Sequence, residues 1–430
     1  MCNGESKVGR SVWFFNHYAI TPDMPGGTRH FDLAWELVCL GYDVTIFASA
    51  FNHSLRKKVR LLNGDPWALE EIEGVKFVWL PSFAYQGNDW RRAANMVDYT
   101  SRAYSLGRRL PRLEPRVPVP DFVMGCSVHL FAVLAGYYIS RRYGAHFLME
   151  VRDLWPQTFL DMGLWHDGQP QVRFFRWLEQ FLYARAERIV TLSPLTREYL
   201  ARYSREWADK VVYIPNGTRV VRFEAVTAGR RLEAQPVQAM FLGSIGLKNG
   251  VDLIVQAMRI IEESEPGLVQ CVLVGDGPEK TRLQRMVRDW GLKSVSFRDP
   301  VPRAQVPHYT AQADVLVLVE RQVLYGSSNK LFDYMAAGKP IVSSVYAAHN
   351  SVVDEVRCGL SAAPDSATDL AEKLLALARK PAEERRAMGQ RGRAYVRRHY
   401  DYSVLAKRLV DAMEGLGNGR SEQSGHQAAV

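Results

Sequence analysis

The 430 residues exceed what a single hydrophobic core organises, so at least two domains are expected. Apolar residues make up 47% and charged residues 23%, which excludes a disordered or collagen-like chain and fits a globular one. A net charge of +9 points to an anionic partner: a nucleic acid, a phosphorylated ligand or an acidic membrane surface.

The N-terminus has only a very short apolar run, so no signal peptide is expected. Cys2, Cys39, Cys126, Cys271 and Cys358 show no CxxC spacing and read as reduced, structural thiols rather than a disulfide framework or zinc site. Strands are predicted at Val12–Tyr18, Val44–Ala48, Val75–Leu80, Phe122–Cys126, Phe147–Val151, Ile189–Leu192 and Val211–Ile214. Helices are predicted among them at Thr28–Leu40, Trp90–Leu110, Leu130–Arg142, Val172–Ala186 and Pro194–Tyr203. Continuous apolar strands separated by helices predict a parallel sheet covered on both faces. Phe122–Ile139 is nearly long enough to cross a bilayer, but Gly125, Ser127 and His129 interrupt it, and a buried strand feeding a helix fits better.

Apolar periodicity fades over 218–236, the expected linker between an N-terminal domain (1–217) and a C-terminal one (237–400). The second series has strands at Gln238–Leu242, Val269–Val274, Val295–Phe297, Val315–Val319 and Ile341–Ser343, again alternating with helices. A last helix over 401–416, packing back on the first domain, and a disordered tail over 417–430 complete the expected chain. The fold class is therefore α/β, with two Rossmann-like domains, each taking ligands at the carboxyl ends of its strands. Facing one another, they would hold a ligand in a deep cleft.

The most informative segment is YGSSNKLFDYMAAGKP, Tyr325–Pro340. Gly326, Ser327 and Ser328 form a polar loop entering a helix near Asn329. Unpaired amides and the macrodipole favour a phosphate at such a helix start. Lys330 adds a positive charge there, and Asp333, three residues on, is suited to accept from a ribose diol. Taken alone, the same residues also describe a capped helix with a solvated Lys and Asp.

SSNKLFDYMAAGKPIV resembles the donor-site signature of retaining glycosyltransferases of the GT-B fold, family 4, within them the WbuB-like group of bacterial surface-polysaccharide enzymes. The resemblance covers almost the whole chain. FNHYAITPDMPGGTRHFDLAWELVCLGYDVTIFAS, FLMEVRDLWPQTFLDMGLW, IVTLSPLTREYL, VYIPNGT, VGDGPEKTRL and AMGQRGRAYVRRHYDYS follow in the family's order. It implies a nucleoside-diphosphate-sugar donor, uridine by family habit, and a lipid-linked glycan acceptor in polysaccharide or O-antigen synthesis.

Asp333 matches the second acidic position of the family's E-x7-E element, whereas Tyr325 stands at the first. Glu320 is acidic and nearby but out of register. Ser244 and Asn249 occupy the places of the family's pyrophosphate-clamping Arg and Lys, with Lys248 one residue off. Gly275-Asp276-Gly277 resembles the turn against which the base packs, although a plain strand-to-helix turn with an early Pro reads equally well. Gly26 and Gly27 resemble the loop that approaches the sugar and phosphate. Arg29 and His30 open the next helix, where contact with an anionic acceptor and plain solvation both remain open. His129, Arg152 and Asp153 follow strands of the first domain and would face an acceptor; for His129 a core role remains open. Lys330, Asp153 and His129 form the expected catalytic set.

The G-x-G-x-x-G fingerprint is absent, which speaks against a dinucleotide oxidoreductase. No D-x-D occurs, so no metal and no cofactor are expected. The alternatives are a GT-B-fold epimerase with a carboxylate pair in its cleft and a basic nucleic-acid-binding protein. Basic residues are spread through α/β helices and no nucleic-acid motif appears, so no nucleic-acid partner is expected. Seven arginines between Trp90 and Val117, interleaved with Trp90, Met96, Tyr99 and Tyr104, predict peripheral contact with the anionic cytoplasmic face of the inner membrane. A solvated helix packing its apolar face on the sheet is the other reading.

Overall fold

The computed structural model describes residues 9–53, 55–61, 63–87, 89–226, 236–321, 328–345 and 352–426. The chain divides into two compact units. The first comprises Met1–Thr21, Thr28–Pro215 and Leu405–Val430, and the second Pro22–Gly27 and Asn216–Val404.

In the first unit the strands are β1 (Ser11–Phe15), β2 (Asp43–Ser49), a small hairpin of β3 (Phe51–Asn52) and β4 (Lys57–Lys58), β5 (Ala68–Ile72), β6 (Val75–Leu80), β7 (Phe122–Cys126), β8 (His146–Val151), β9 (Arg188–Thr191) and β10 (Val211–Tyr213). Eight of them form one sheet in the order β10-β9-β8-β7-β1-β2-β6-β5. All neighbours in it are parallel except β5 and β6. Every residue of β1 is buried, as a central parallel strand covered on both faces requires. Trp13, Phe15, Phe47, Tyr99 and Ile139 belong to one core cluster, with the Phe15 and Phe47 rings stacked at 4.5 Å.

The sequence gives no sign of β5. It is a polar edge strand, ALEEI, whose Glu70 is tied to Arg60 and to the Trp79 indole N–H. Edge strands of this kind lack the apolar run that marks the interior ones.

The second unit holds β11 (Val237–Leu242), β12 (Val269–Val274), β13 (Val295–Arg298), β14 (Val315–Glu320), β15 (Ile341–Val345) and β16 (Gly359–Ser361). They form a parallel six-stranded sheet in the order β13-β12-β11-β14-β15-β16. Residues 218–226, read from the sequence as linker, belong to this unit. Val220 and Phe223 are in its core, and the Thr218 N–H bonds the Tyr400 carbonyl. The rest of the expected linker, 227–235, lies outside the described residues.

The final helix, Tyr402–His426, passes residue 417, where the sequence predicts a disordered tail. Its first half is anchored by buried Leu405, Ala406, Leu409 and Met413, and Glu414 bonds Arg10 and Tyr42. A helix nucleated by such packing propagates at low cost. Cys126, Cys271 and Cys358 are free and buried, whereas Cys39 is disulfide-bonded, contrary to expectation. Pairing depends on proximity in space, which sequence spacing does not report.

Candidate functional site

In the second unit the strand order reverses between β11 and β14: the chain adds β12 and β13 on one side of β11, then β14, β15 and β16 on the other. Ligands bind outside the carboxyl ends of strands at such a switch point. The residues that follow β11 there are Gly243 and Ser244, and the last residue of β14 is Glu320.

The helix Asn329–Ala336 carries Lys330 into this place. The Lys330 ammonium donates to Glu320 Oε1 at 2.7 Å and to Asn249 Oδ1 at 2.9 Å, and it lies 5.5 Å from the centroid of the Phe241 ring. Ser328 Oγ donates to the same Glu320 oxygen at 3.0 Å. Burial pushes the Glu320 carboxyl upward, but the Lys330 ammonium and the hydrogen bonds from Lys330 and Ser328 outweigh it and hold the group below its ordinary range. A Cβ at position 243 would come 2.5 Å from Lys330 Cε, so a larger residue there would displace this end of Lys330. Gly275 is more strictly required: its φ is 151°, and a Cβ there would strike the Gly243 backbone carbonyl. Asp276 is exposed, its carbonyl accepts from the Ile245 N–H at 2.8 Å, and Gly277 packs on Ile245.

Asp333 is buried and turned to other partners. It accepts from Thr218 Oγ1 at 2.8 Å and from both terminal nitrogens of Arg303, a bidentate pair. Of about four acceptor positions on a carboxylate, these bonds use three, leaving one on Oδ2. Asp333, read from the sequence as suited to accept from a ribose diol, thus has one acceptor position free of these bonds. Arg303, in the loop after β13, carried no motif that marks it. Ser244 and Lys248 are exposed, Ser328 is buried, and Asn329 is half-buried. A Cβ at Gly27 would lie 2.9 Å from Asn329 Nδ2, so this glycine sits at the start of the Lys330 helix, with Gly26 beside it at φ 131°. Ser327 and Tyr325 lie outside the described residues.

In the first unit, Arg29 is 2% exposed and donates to Glu150 at 2.8 Å and to the carbonyls of Ile214 and Pro215. It ties β8 to the segment after β10, so neither solvation nor contact with an anionic acceptor describes it. His30 is likewise buried, 2.6 Å from Glu150. Burial pushes the Glu150 carboxyl up, yet His30 and Arg29 together hold it well below its usual range. His30, Cys126 and Glu150 bring three ligand atoms within 4.8 Å of one another. The Arg29 cation bonded to Glu150 opposes a second cation there.

His129 is fully buried and caps the helix Leu130–Tyr143 by accepting from the Ala132 N–H. Arg152 is half-buried, with its N–H on Ser127 Oγ, and Asp153 is exposed in the turn after β8.

A model of the glycosyl transferase 4-like domain matches residues 26–217, and one of glycosyl transferases group 1 matches residues 236–380. The chain belongs to this glycosyltransferase family. The Escherichia coli (strain K12) protein named as a colanic acid biosynthesis glycosyl transferase, WcaI, is 21% identical over 273 residues, 60% of this chain and 65% of that protein. A GDP-mannose-dependent alpha-(1-6)-phosphatidylinositol monomannoside mannosyltransferase of Mycobacterium tuberculosis (strain ATCC 25618 / H37Rv) is 26% identical over 224 residues, 48% of this chain and 57% of that one. The chain thus spans only 57% to 65% of the length of these curated relatives. Among solved structures, sucrose-phosphate synthase from Thermosynechococcus elongatus superposes with a TM-score of 0.73 at 16% identity, covering 95% of this chain and 100% of that one. Anabaena Alr3699/HepE in complex with UDP and glucose gives 0.67 at 14%, covering 94% and 100%. The fold is GT-B, built of two Rossmann-like α/β domains with largely parallel sheets.

One expectation about the membrane changes. Met96 and Tyr99 are core residues at 6% and 0% exposure, because the apolar face of the helix Trp90–Gly107 packs on the sheet. Trp90 remains 68% exposed, beside exposed Arg91, Arg102, Arg108, Arg109, Arg112 and Arg116. Among the described residues no helix is long and apolar enough to cross a membrane.

Proposed function

We propose that this protein transfers a sugar, with retention, from a nucleoside-diphosphate sugar to a hydroxyl of a lipid-linked glycan in bacterial polysaccharide synthesis. The observation that carries the reading is the Lys330 ammonium, held at the switch point of the second sheet by Glu320 and Asn249. An ammonium has three N–H donors, and these two bonds leave the third for a diphosphate oxygen at the start of the Asn329 helix.

The chemical task is to stabilise charge on the departing diphosphate while the sugar becomes oxocarbenium-like. One ammonium about 4 Å from the leaving oxygen is worth at most roughly 4 kcal/mol at an effective dielectric near 20. Expressed only in the transition state, that is on the order of a thousandfold in rate. Glu320 offsets part of this field, so the helix-start amides and the exposed Lys248 share the load. With these cationic groups and no D-x-D, the transfer needs no divalent ion. The remaining acceptor position on Asp333 suits one ribose hydroxyl, and Arg152 and Asp153 are the acceptor-side residues of this reading. The base is uridine by family habit, while a GDP-mannose-dependent enzyme among the relatives makes guanosine the competitor.

The test is release of nucleotide from UDP-, GDP- and ADP-sugars, with and without excess chelator. Turnover with one base, undiminished by chelation, is the expected result. No release from any donor would remove the proposal, and loss in chelator restored by magnesium would remove its metal-free part.

A further inference from the structure

The first unit has a switch point of its own. From β1 the chain builds β2 and β6 on one side, and β7, β8, β9 and β10 on the other. His17 follows β1 and His129 follows β7, so both stand at the carboxyl ends of the two strands that flank the reversal. The His17 ring lies between two tyrosines, stacked on Tyr99 at 4.2 Å and on Tyr18 at 4.4 Å. Its edges alone are open to polar contact.

The direction of the hydrogen bonds along this pair is fixed by one backbone group. The Ala132 N–H can only donate, and it donates to His129 Nδ1 at 3.2 Å. His129 Nδ1 therefore carries no proton. Burial pushes the His129 imidazole down to about 3 and the His17 imidazole well below its ordinary value, so both rings are neutral near pH 7. Neutral His129 keeps its single proton on Nε2 and donates it to His17 Nδ1, 2.8 Å away. His17 must then hold its own proton on Nε2. That atom is buried and has no hydrogen-bond partner among the described residues. A buried N–H of this kind is costly to leave unmet.

We propose that His17 Nε2–H is a ligand-binding donor for a sugar hydroxyl oxygen, with His129 the positioning residue that fixes its tautomer. The sugar class rests on the glycosyltransferase reading, and the site's own chemistry agrees with it. The donor is uncharged and flanked by aromatic rings, a combination that suits a hydroxyl-rich ligand; the nearby Arg92 cation, which acts on both imidazoles, makes an anion the competitor to be tested.

The test begins with two-bond nitrogen–proton correlation spectra of the whole chain labelled at histidine. Both rings are expected in the Nε2–H form, and a His17 proton on Nδ1 overturns the proposal whatever the enzyme does. Free glucose, galactose, mannose and N-acetylglucosamine are then added at millimolar concentrations, with inorganic phosphate as the competing probe. At least one sugar is expected to shift the His17 Nε2–H resonance. A shift with phosphate alone, or with none of the sugars, overturns the proposal.

Substitution supplies a second arm. Glutamine can return an N–H near the Nε2 position and asparagine only near Nδ1. H17Q is expected to keep most of the nucleotide release that H17N and H17F lose, by about tenfold or more for one hydrogen bond. Unfolding temperatures should stay together across the three variants. Equal loss in H17Q and H17N counts against the donor role. A wild-type protein that releases no nucleotide defeats the transferase reading, while the spectra still decide the role of His17.

Discussion

Lys330 and Glu320 form a 2.7 Å ion pair in which both side chains are largely buried, at 15% and 10% exposure. Ten residues separate them in sequence, one ending a strand and the other in the first turn of the next helix. The pair pre-positions the ammonium and also holds it in check.

Removing either partner has different consequences. Lys330→Ala is expected to lower nucleotide release by roughly 100- to 1000-fold and to leave Glu320 buried without its counter-charge, which raises its pKa. Glu320→Gln keeps the ammonium and removes the opposing field, so nucleotide is expected to bind more tightly. Steady-state kinetics with nucleotide-binding calorimetry on both variants checks this, and unchanged kinetics in both would dismiss the site.

Asp333 and Arg303 test a buried tie. Removing one side of such a pair costs about 3–5 kcal/mol because the other charge is stranded. Asp333→Ala and Arg303→Ala are each expected to destabilise by that order, and the double variant by clearly less than their sum. Urea denaturation measures all three. Asp333→Ala should also weaken nucleotide binding more than Arg303→Ala, since only Asp333 keeps an acceptor position for ribose.

Glu179 predicts a pH dependence of stability. Burial raises its carboxyl from an ordinary 4.5 to about 8, against the opposing effects of Tyr183, Arg176 and Tyr199. Between those values the unfolded chain has released the proton and the folded chain keeps it. The native state then binds more protons, so this group's contribution falls as pH rises from near 4.5 through 8, by a few kcal/mol. Glu179→Gln is expected to flatten that fall and to raise the unfolding temperature at pH 8. Thermal melts of both proteins from pH 5 to 9 decide it.

The arginines around the helix Trp90–Gly107 predict reversible binding to anionic membranes. Arg102 is paired with Asp98 and Arg116 with Glu114, which leaves Arg91, Arg108, Arg109 and Arg112 as the main contributors. At about 1 kcal/mol per cation near an anionic leaflet, these give roughly 4 kcal/mol. With Met96 and Tyr99 buried, any apolar insertion falls to exposed Trp90, Phe83, Val97 and Leu113. Co-sedimentation with anionic liposomes should fall with salt and on changing Arg108 and Arg109 to Glu. Equal binding to neutral liposomes, or none to either, would dismiss the membrane role.

The sequence by itself determined the two α/β series, the interior strands and the place of Lys330 at the start of its helix. Those features depend on local periodicity, on apolar runs and on the chemistry of one loop. The ends of Val269–Val274 agree because five of its six positions are apolar and buried, with only Gln270 exposed, and define the strand without reference to any neighbour. Tertiary structure alone decided which charges meet. Glu320 is out of register with its family element and still reaches Lys330, because β14 lies beside β11 in the sheet. Asp333 turns to Arg303, and Arg29 disappears into Glu150 and two carbonyls, through contacts that span 30 to 186 residues. The same holds for His17 and His129, 112 residues apart, whose shared hydrogen bond exists only because β1 and β7 are neighbours. Sequence periodicity reports which face of an element is buried; strand order, set by packing across the whole sheet, selects the partner that each buried polar group finds there.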